Sequence, residues 1–214
     1  MKKTKKGRKN KVKKTLALIF SIILVIGLSA CSSKSSGGSA TLQEETYTIE
    51  IEIEKYGTIT AVLDAKTAPI TVSAFVSRVK DGFYNGLTFH RVYDTFMIQG
   101  GDPNGNGLND ENLPTITGEF AYNGVENNIS HKRGTLSMAR SQSYNSASSQ
   151  FFIVQEDSPH LDGQYASFGK VTSGMELVDK VCKDTPVIDD NGSVAPNNQP
   201  VIKEIRIVKD NSGN

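Results

Sequence analysis

Cysteine and histidine are scarce in this chain of 214 residues, with two of the first and three of the second. Two thiols cannot build a disulfide framework. The histidines (His90, His131, His160) form no His-x-Glu and no pair at helical spacing, and no Cys-x-x-Cys occurs, so the sequence implies no metal. Also missing are a Gly-x-x-x-x-Gly-Lys-Ser/Thr loop and a strand-led Gly-x-Gly-x-x-Gly, which leaves a nucleotide cofactor nothing to hold it. No Gly-x-Ser-x-Gly elbow presents a nucleophile, despite the serine-rich run from Ser141 to Ser149, so a Ser/His/Asp triad would have to assemble in space. Asp102-Pro103-Asn104-Gly105-Asn106-Gly107 begins like a calcium loop, but Leu113 stands where the bidentate glutamate belongs. These absences point to chemistry without a cofactor.

Positive charge is missing too, outside one segment. Of the 24 Lys+Arg, nine lie within residues 1–15, where there is no acid; the remainder sets fifteen against 23 Asp+Glu, a net −8. A body of that sign is a poor nucleic-acid binder. Nor is there an apolar run that spans a bilayer: Leu16 to Ala30 is fifteen uncharged residues, ~22 Å as a helix, where roughly 20 residues are needed. A basic stretch, a short apolar stretch and small residues at its end are the layout of a secretory signal peptide, here over residues 1–30. Its ending, Leu28-Ser29-Ala30-Cys31, resembles a bacterial lipobox, which implies a diacylated Cys31 as the mature N-terminus. Ser32 to Thr46 is Ser/Gly-rich and reads as a flexible tether with a reach of ~20 Å. More than one acyl chain gives lasting attachment, so the expected location is the outer face of the cytoplasmic membrane, held by lipid rather than by surface charge. Cys182, set among Leu177, Val178 and Val181, is expected to be a buried, inert thiol.

What is present reads as one domain over residues 47–210, with a short tail at 211–214. Tyr47 to Glu54 alternates, with Tyr47, Ile49, Ile51 and Ile53 on one face and Thr48, Glu50, Glu52 and Glu54 on the other, the pattern of a half-buried strand. Lys55-Tyr56-Gly57 turns the chain into a second strand, Thr58 to Asp64. Pro69 suits the first position of a helix whose apolar residues Ile70, Phe75, Val76 and Val79 run until Asp81-Gly82. Short apolar runs then alternate with Gly/Asn/Asp clusters: Leu87 to Val92, Phe96 to Gln99, Thr135 to Ala139, Gln150 to Gln155, Tyr165 to Val171 and Val201 to Val208. A second short helix fits Gly174 to Cys182. The fold class is mainly β, a sandwich or barrel, without the strand-helix alternation of a parallel sheet.

Three segments concentrate groups suited to a peptide groove: Phe89-His90-Arg91 with Phe96 to Asp102, Ser137 to Arg140 with Ser149 to Ile153, and His160 to Tyr165 with Phe168-Gly169. Strand alternation pairs Phe89 with Arg91, Met97 with Gln99 and Gln150 with Phe152 on shared faces. Singly, each has a plain structural reading: Phe96, Phe152 and Leu161 as core, Gln99 and Gln150 as strand-surface amides, Arg91 as a solvated charge. In combination, GLTFHRV, FMIQGGDP, GTLSMAR, NSASSQFFI and LDGQYASFGKV resemble the cyclophilins, peptidyl-prolyl cis-trans isomerases, over roughly Thr48 to Val208.

The resemblance implies a closed eight-stranded antiparallel barrel capped by two helices, with a substrate groove on its outer surface. It places the family's catalytic arginine at Arg91 and its backbone-holding amide at Gln99. Proline-pocket residues fall on Phe96, Met97, Phe152 and Leu161, and further groove positions on Ala139 and Gln150. His160 stands where the best-known eukaryotic members have Trp, Tyr165 where they have a groove His, and Arg140 where they have Asn; both His160 and Tyr165 are expected to touch substrate. Partners would be proline-containing segments of exported proteins, with no cofactor and no nucleic acid. Two other classes stay open: a proline-peptide binding or chaperone module with little turnover, and a solute-binding lipoprotein, against which the short body without two lobes counts.

Overall fold

The computed structural model describes residues 46–108 and 110–211. The signal peptide, Cys31, nearly all of the tether and the last three residues of the tail lie outside the described residues. β1 (Thr46–Ile53) and β2 (Gly57–Asp64) form the expected hairpin, with Lys55 left-handed in its turn at φ 67°. Ile49, Ile51 and Ile53 are buried.

α1 (Pro69–Lys80) follows, with proline in its first turn and Gly82, at φ 67°, just past its end. Val72, Phe75, Val76 and Val79 form its buried stripe. The Phe75 ring sits 4.9 Å from Tyr84, 5.3 Å from Phe151 and 5.1 Å from Phe168, so one helix residue joins three distant segments. The buried Glu119 carboxylate accepts from the amides of Ile70 and Thr71 at 3.0 and 2.8 Å. It meets two N–H groups that a helix start leaves unpaired, at the positive end of the helix dipole.

The remaining elements are β3 (Arg91–Tyr93), β4 (Met97–Gly100), β5 (Thr135–Met138), β6 (Phe151–Val154), β7 (Ser167–Ser173), α2 (Met175–Asp184) and β8 (Ile202–Asp210). On the outer face, Glu50 and Glu52 of β1 pair with Lys203 and Arg206 of β8, which accounts for the acidic half of the β1 alternation. The eight strands form one antiparallel sheet in the order β3-β4-β6-β5-β7-β2-β1-β8. α2 packs on β2, β3 and β4, strands far apart in that order, so the sheet is strongly curled.

Closure is where the structure departs from expectation: the sheet is an open half-barrel, with β3 and β8 as edges that share no ladder. The strand expected from Leu87 begins only at Arg91. Gly86 to Phe89 instead exchange three backbone bonds of 2.7–2.9 Å with Pro200 and with Ile202, the first residue of β8. Beyond them, Val92 donates to Gly192 at 2.8 Å and Val194 donates to His90 at 3.0 Å. The outer edge of β3 is thus occupied by the loop leading to β8, which protects it without closing the barrel.

Alternation along β4 and β6 splits the apolar residues into two layers. Ile98, Phe151 and Ile153 face the main core, whereas Met97, Phe152 and Val154 face outward and form a small cluster with Leu161. Cys182 is buried and unpaired as a disulfide, and burial pushes its thiol up to about 12, consistent with an inert core residue.

Candidate functional site

The outward layer is the floor of a groove. Register sets Arg91 of β3 opposite Gln99 of β4, Gln99 opposite Phe152 of β6, and Phe152 opposite Ser137 of β5. Each strand therefore delivers a side chain to the same outer face at the same height. A concavity of about 130 Å³ opens there, with Phe96, Met97 and Phe152 below it, Arg91 and Gln99 at one end, and Ala139, Arg140, Leu161 and Tyr165 around the other. That volume is well under the roughly 300–1,000 Å³ that encloses a drug-sized ligand, so the site fits one side chain of a longer chain.

The polar end is fixed in orientation. The half-buried Arg91 donates from Nε to the Asn191 carbonyl at 2.7 Å and from Nη1 to Gln99 Oε1 at 3.4 Å, and its guanidinium lies 5.8 Å from the centre of the Phe96 ring. Gln99 in turn donates from Nε2 to Gln150 Oε1 at 2.9 Å, and Gln150 donates to the Leu108 carbonyl at 3.0 Å. This chain fixes which end of the Gln99 amide is nitrogen and leaves its second N–H for a ligand. Burial lowers the Arg91 pKa from its ordinary value, yet a guanidinium remains charged at any physiological pH. Phe96 is presented by the β3–β4 hairpin, where Thr95 takes a left-handed φ of 67° and Gln155 donates to Asp94 at 3.1 Å.

Beneath the floor lies a buried network that the sequence did not reveal. The His131 ring stacks under Phe152 at 6.0 Å and 15°. Its Nδ1 is 2.9 Å from Asp162 Oδ1, while Nε2 is 3.0 Å from Ser137 Oγ and 3.1 Å from Ser167 Oγ. Burial lowers the His131 pKa against the pull of Asp162, whose own carboxyl is held below its usual range by hydrogen bonds from His131 despite its desolvation. A neutral ring that donates to Asp162 and accepts from a serine fits all these distances. The three residue types are those of a nucleophilic triad, but Ser137 and Ser167 are 0% and 1% exposed, so no substrate reaches either hydroxyl. The network supports Phe152. Its sequence signal, a lone His three residues ahead of the GTLSMAR stretch, is no different from that of any buried histidine.

Of the residues expected from the sequence, the structure brings Arg91, Phe96, Met97, Gln99, Ala139, Phe152, Leu161 and Tyr165 to one concavity. Gln150 stands behind Gln99 rather than in the open groove, because its amide is committed on both sides. His160 is exposed on the rim beside Phe96, with ring centres 5.6 Å apart, and does not line the concavity. Phe89 and Arg91 do not share a face: Phe89 precedes β3 and is fully buried in the main core. The Asp102 carboxylate is taken up by the backbone amides of Asn104, Asn106 and Gly107 at 2.7–3.0 Å, so the glycine-rich loop is organised around that side chain.

With this geometry in hand, comparison with known proteins is specific. The family model described as cyclophilin type peptidyl-prolyl cis-trans isomerase matches residues 48–209. The chain is 41% identical over 159 residues to peptidyl-prolyl cis-trans isomerase A of Dickeya dadantii, covering 72% of this chain and 80% of that one. It is 45% identical over 127 residues to a peptidyl-prolyl cis-trans isomerase of Helicobacter pylori, covering 58% and 74%. Among solved structures, a cyclophilin type isomerase of Cryptosporidium parvum, crystallised in the presence of the dipeptide Ala-Pro, superposes with a TM-score of 0.66 at 29% identity, over 76% of this chain and 99% of that one.

Proposed function

Because the chain belongs to the cyclophilin-type peptidyl-prolyl cis-trans isomerase family, we propose that it rotates X-Pro bonds in the groove described above, with Arg91 and Gln99 as the catalytic pair. The observation that carries this reading is the convergence of a fixed guanidinium, an oriented amide and an apolar floor on one residue-sized concavity. Rotation about an X-Pro bond costs ~18–20 kcal/mol because it breaks amide resonance, and no bond has to be made or broken. In the twisted transition state the prolyl nitrogen is pyramidal, carries a free lone pair, and the amide is less polar than when planar. Phe96, Met97, Phe152 and Leu161 hold the proline ring out of water, which favours that less polar state. Arg91 offers an N–H to the nitrogen lone pair, and the spare N–H of Gln99 holds a backbone carbonyl as the rest of the peptide turns. Tyr165 and Ala139 bound the far wall. Catalysis is then differential binding of the twisted form.

The test is cis-trans exchange of a short Ala-Pro peptide, followed by NMR, with the full-length chain and with Arg91→Ala. Loss of one charge-assisted bond of ~1.5–3 kcal/mol predicts a fall in turnover of about 10- to 150-fold. Near wild-type turnover in a folded Arg91→Ala protein removes Arg91 from the role. A folded wild type that binds the peptide without exchanging it makes the groove a binding site.

The site of action proposed for this activity is outside the cytoplasmic membrane, on exported proteins, with Cys31 as the lipid anchor. Support comes from the basic and apolar leader and the Leu28-Ser29-Ala30-Cys31 ending. Cys31→Ala is expected to move the protein out of the membrane fraction; unchanged fractionation, with no acyl mass on Cys31, excludes the anchor.

A further inference from the structure

Arg140 takes no part in the rotation step proposed above, yet it lines the groove and is held by three rings. Its guanidinium carbon lies 4.6 Å from the centre of the Tyr165 ring, 5.3 Å from that of Phe120 and 5.1 Å from that of Tyr144. Nε donates to the Gln164 carbonyl and Nη1 to the Ser141 carbonyl, both at 2.9 Å, while Nη2 has no part in the hydrogen bonds among the described residues. Carbonyls and ring faces orient the ion but leave its charge unneutralised, and none of the ion pairs among the described residues includes it. Among the described residues no carboxylate lines the concavity.

Its place relative to proline follows from the sheet. Arg140 lies two residues beyond Met138, the end of β5, and β5 is separated from Arg91 on β3 by β4 and β6. Three strand spacings of ~4.8 Å give ~14 Å from one arginine's strand to the other's, a length that an extended peptide covers in about four residues at ~3.3 Å each. With proline over Met97 and Phe152, a neighbour within about three residues passes the Arg140 guanidinium. An ion already locked in plane loses little freedom on pairing, which is what makes such a charge effective in recognition.

We propose that Arg140 is a specificity-determining residue that selects X-Pro segments carrying an aspartate or glutamate within about three residues of the proline, on the side that runs over Tyr165. This rests on the reading of the groove as the X-Pro site. The experiment uses Ala-Pro peptides with Glu, Gln or Lys placed singly at each of the three positions before and after the dipeptide, with full-length wild type, Arg140→Gln and Arg140→Lys. The readout is the Glu-to-Gln ratio of kcat/KM within each protein, so a general change in turnover cancels. One or two adjacent positions are expected to favour Glu over Gln by about three- to tenfold, mainly through KM, with Lys disfavoured and the preference shrinking as salt is added. Arg140→Lys keeps part of the preference and Arg140→Gln brings the ratio to about one. Equal kcat/KM for Glu and Gln at every position, or a preference that survives in Arg140→Gln, overturns the assignment. Inertness of wild type toward all the peptides overturns the isomerase reading instead, and the same Glu-to-Gln ratio taken from binding affinities then decides the role of Arg140.

Discussion

β4 and β6 carry two apolar layers back to back, and the layers differ in what covers them. The inner one, with Ile98, Phe151 and Ile153, is sealed by α1 and by the rings of Phe75, Tyr84, Phe89 and Phe168. The outer one, with Met97, Phe152, Val154 and Leu161, has partly exposed Phe96 and Tyr165 around it and an open concavity above. The same strands thus serve stability through one face and ligand binding through the other. A residue's layer, rather than its hydrophobicity, decides which property its loss affects.

Paired truncations test that separation most severely. Phe151→Ala is expected to cost about 3–5 kcal/mol, since the fully buried ring touches three others and leaves a cavity that cannot collapse. Urea unfolding measures this, and the fraction that stays folded is expected to keep its kcat/KM. Leu161→Ala, at the rim of the outer layer, is expected to cost about 2 kcal/mol and to raise KM for an Ala-Pro peptide several-fold. If the two variants lose stability equally and lose activity equally, the layers are a single unit and the comparison fails.

The layers were unequally legible in the sequence. Alternation identified β1, and the spacing after Pro69 identified α1, because each buries one face and exposes the other. In the groove strands both faces are apolar, so FMIQ and QFFIV show no clean period, and the resemblance to cyclophilins supplied the assignment instead. Alternation puts Phe89 and Arg91 on one face, but it holds only inside a strand, and β3 begins after His90. The closed barrel is what the resemblance implies, whereas closure depends on where the loop to β8 lies, and short-range patterns carry no information about that. The His131 network joins two stretches about thirty residues apart, His131 with Ser137 and Asp162 with Ser167, a proximity that only the fold creates.

The smallest expected effect separates the two buried histidines. Burial holds both His90 and His131 below the ordinary histidine value of about 6.5. The unfolded chain takes up these protons near that pH while the folded chain does not. The stability each contributes is therefore full above about pH 6.5 and declines as pH falls toward the lowered folded value, below which the decline stops. His131 is bonded through both nitrogens, so its replacement costs hydrogen bonds at every pH. His90 differs: among the described residues neither ring nitrogen has a hydrogen-bond partner, and Asp102 and Arg91 act on it with opposite signs. His90→Leu should therefore lie within about 1 kcal/mol of wild type at pH 8, since no hydrogen bond among the described residues is forfeited. Between pH 7 and 5 its urea midpoint should fall less than that of wild type. An unchanged decline in the variant would assign the proton uptake to His131 and leave His90 with a packing role alone.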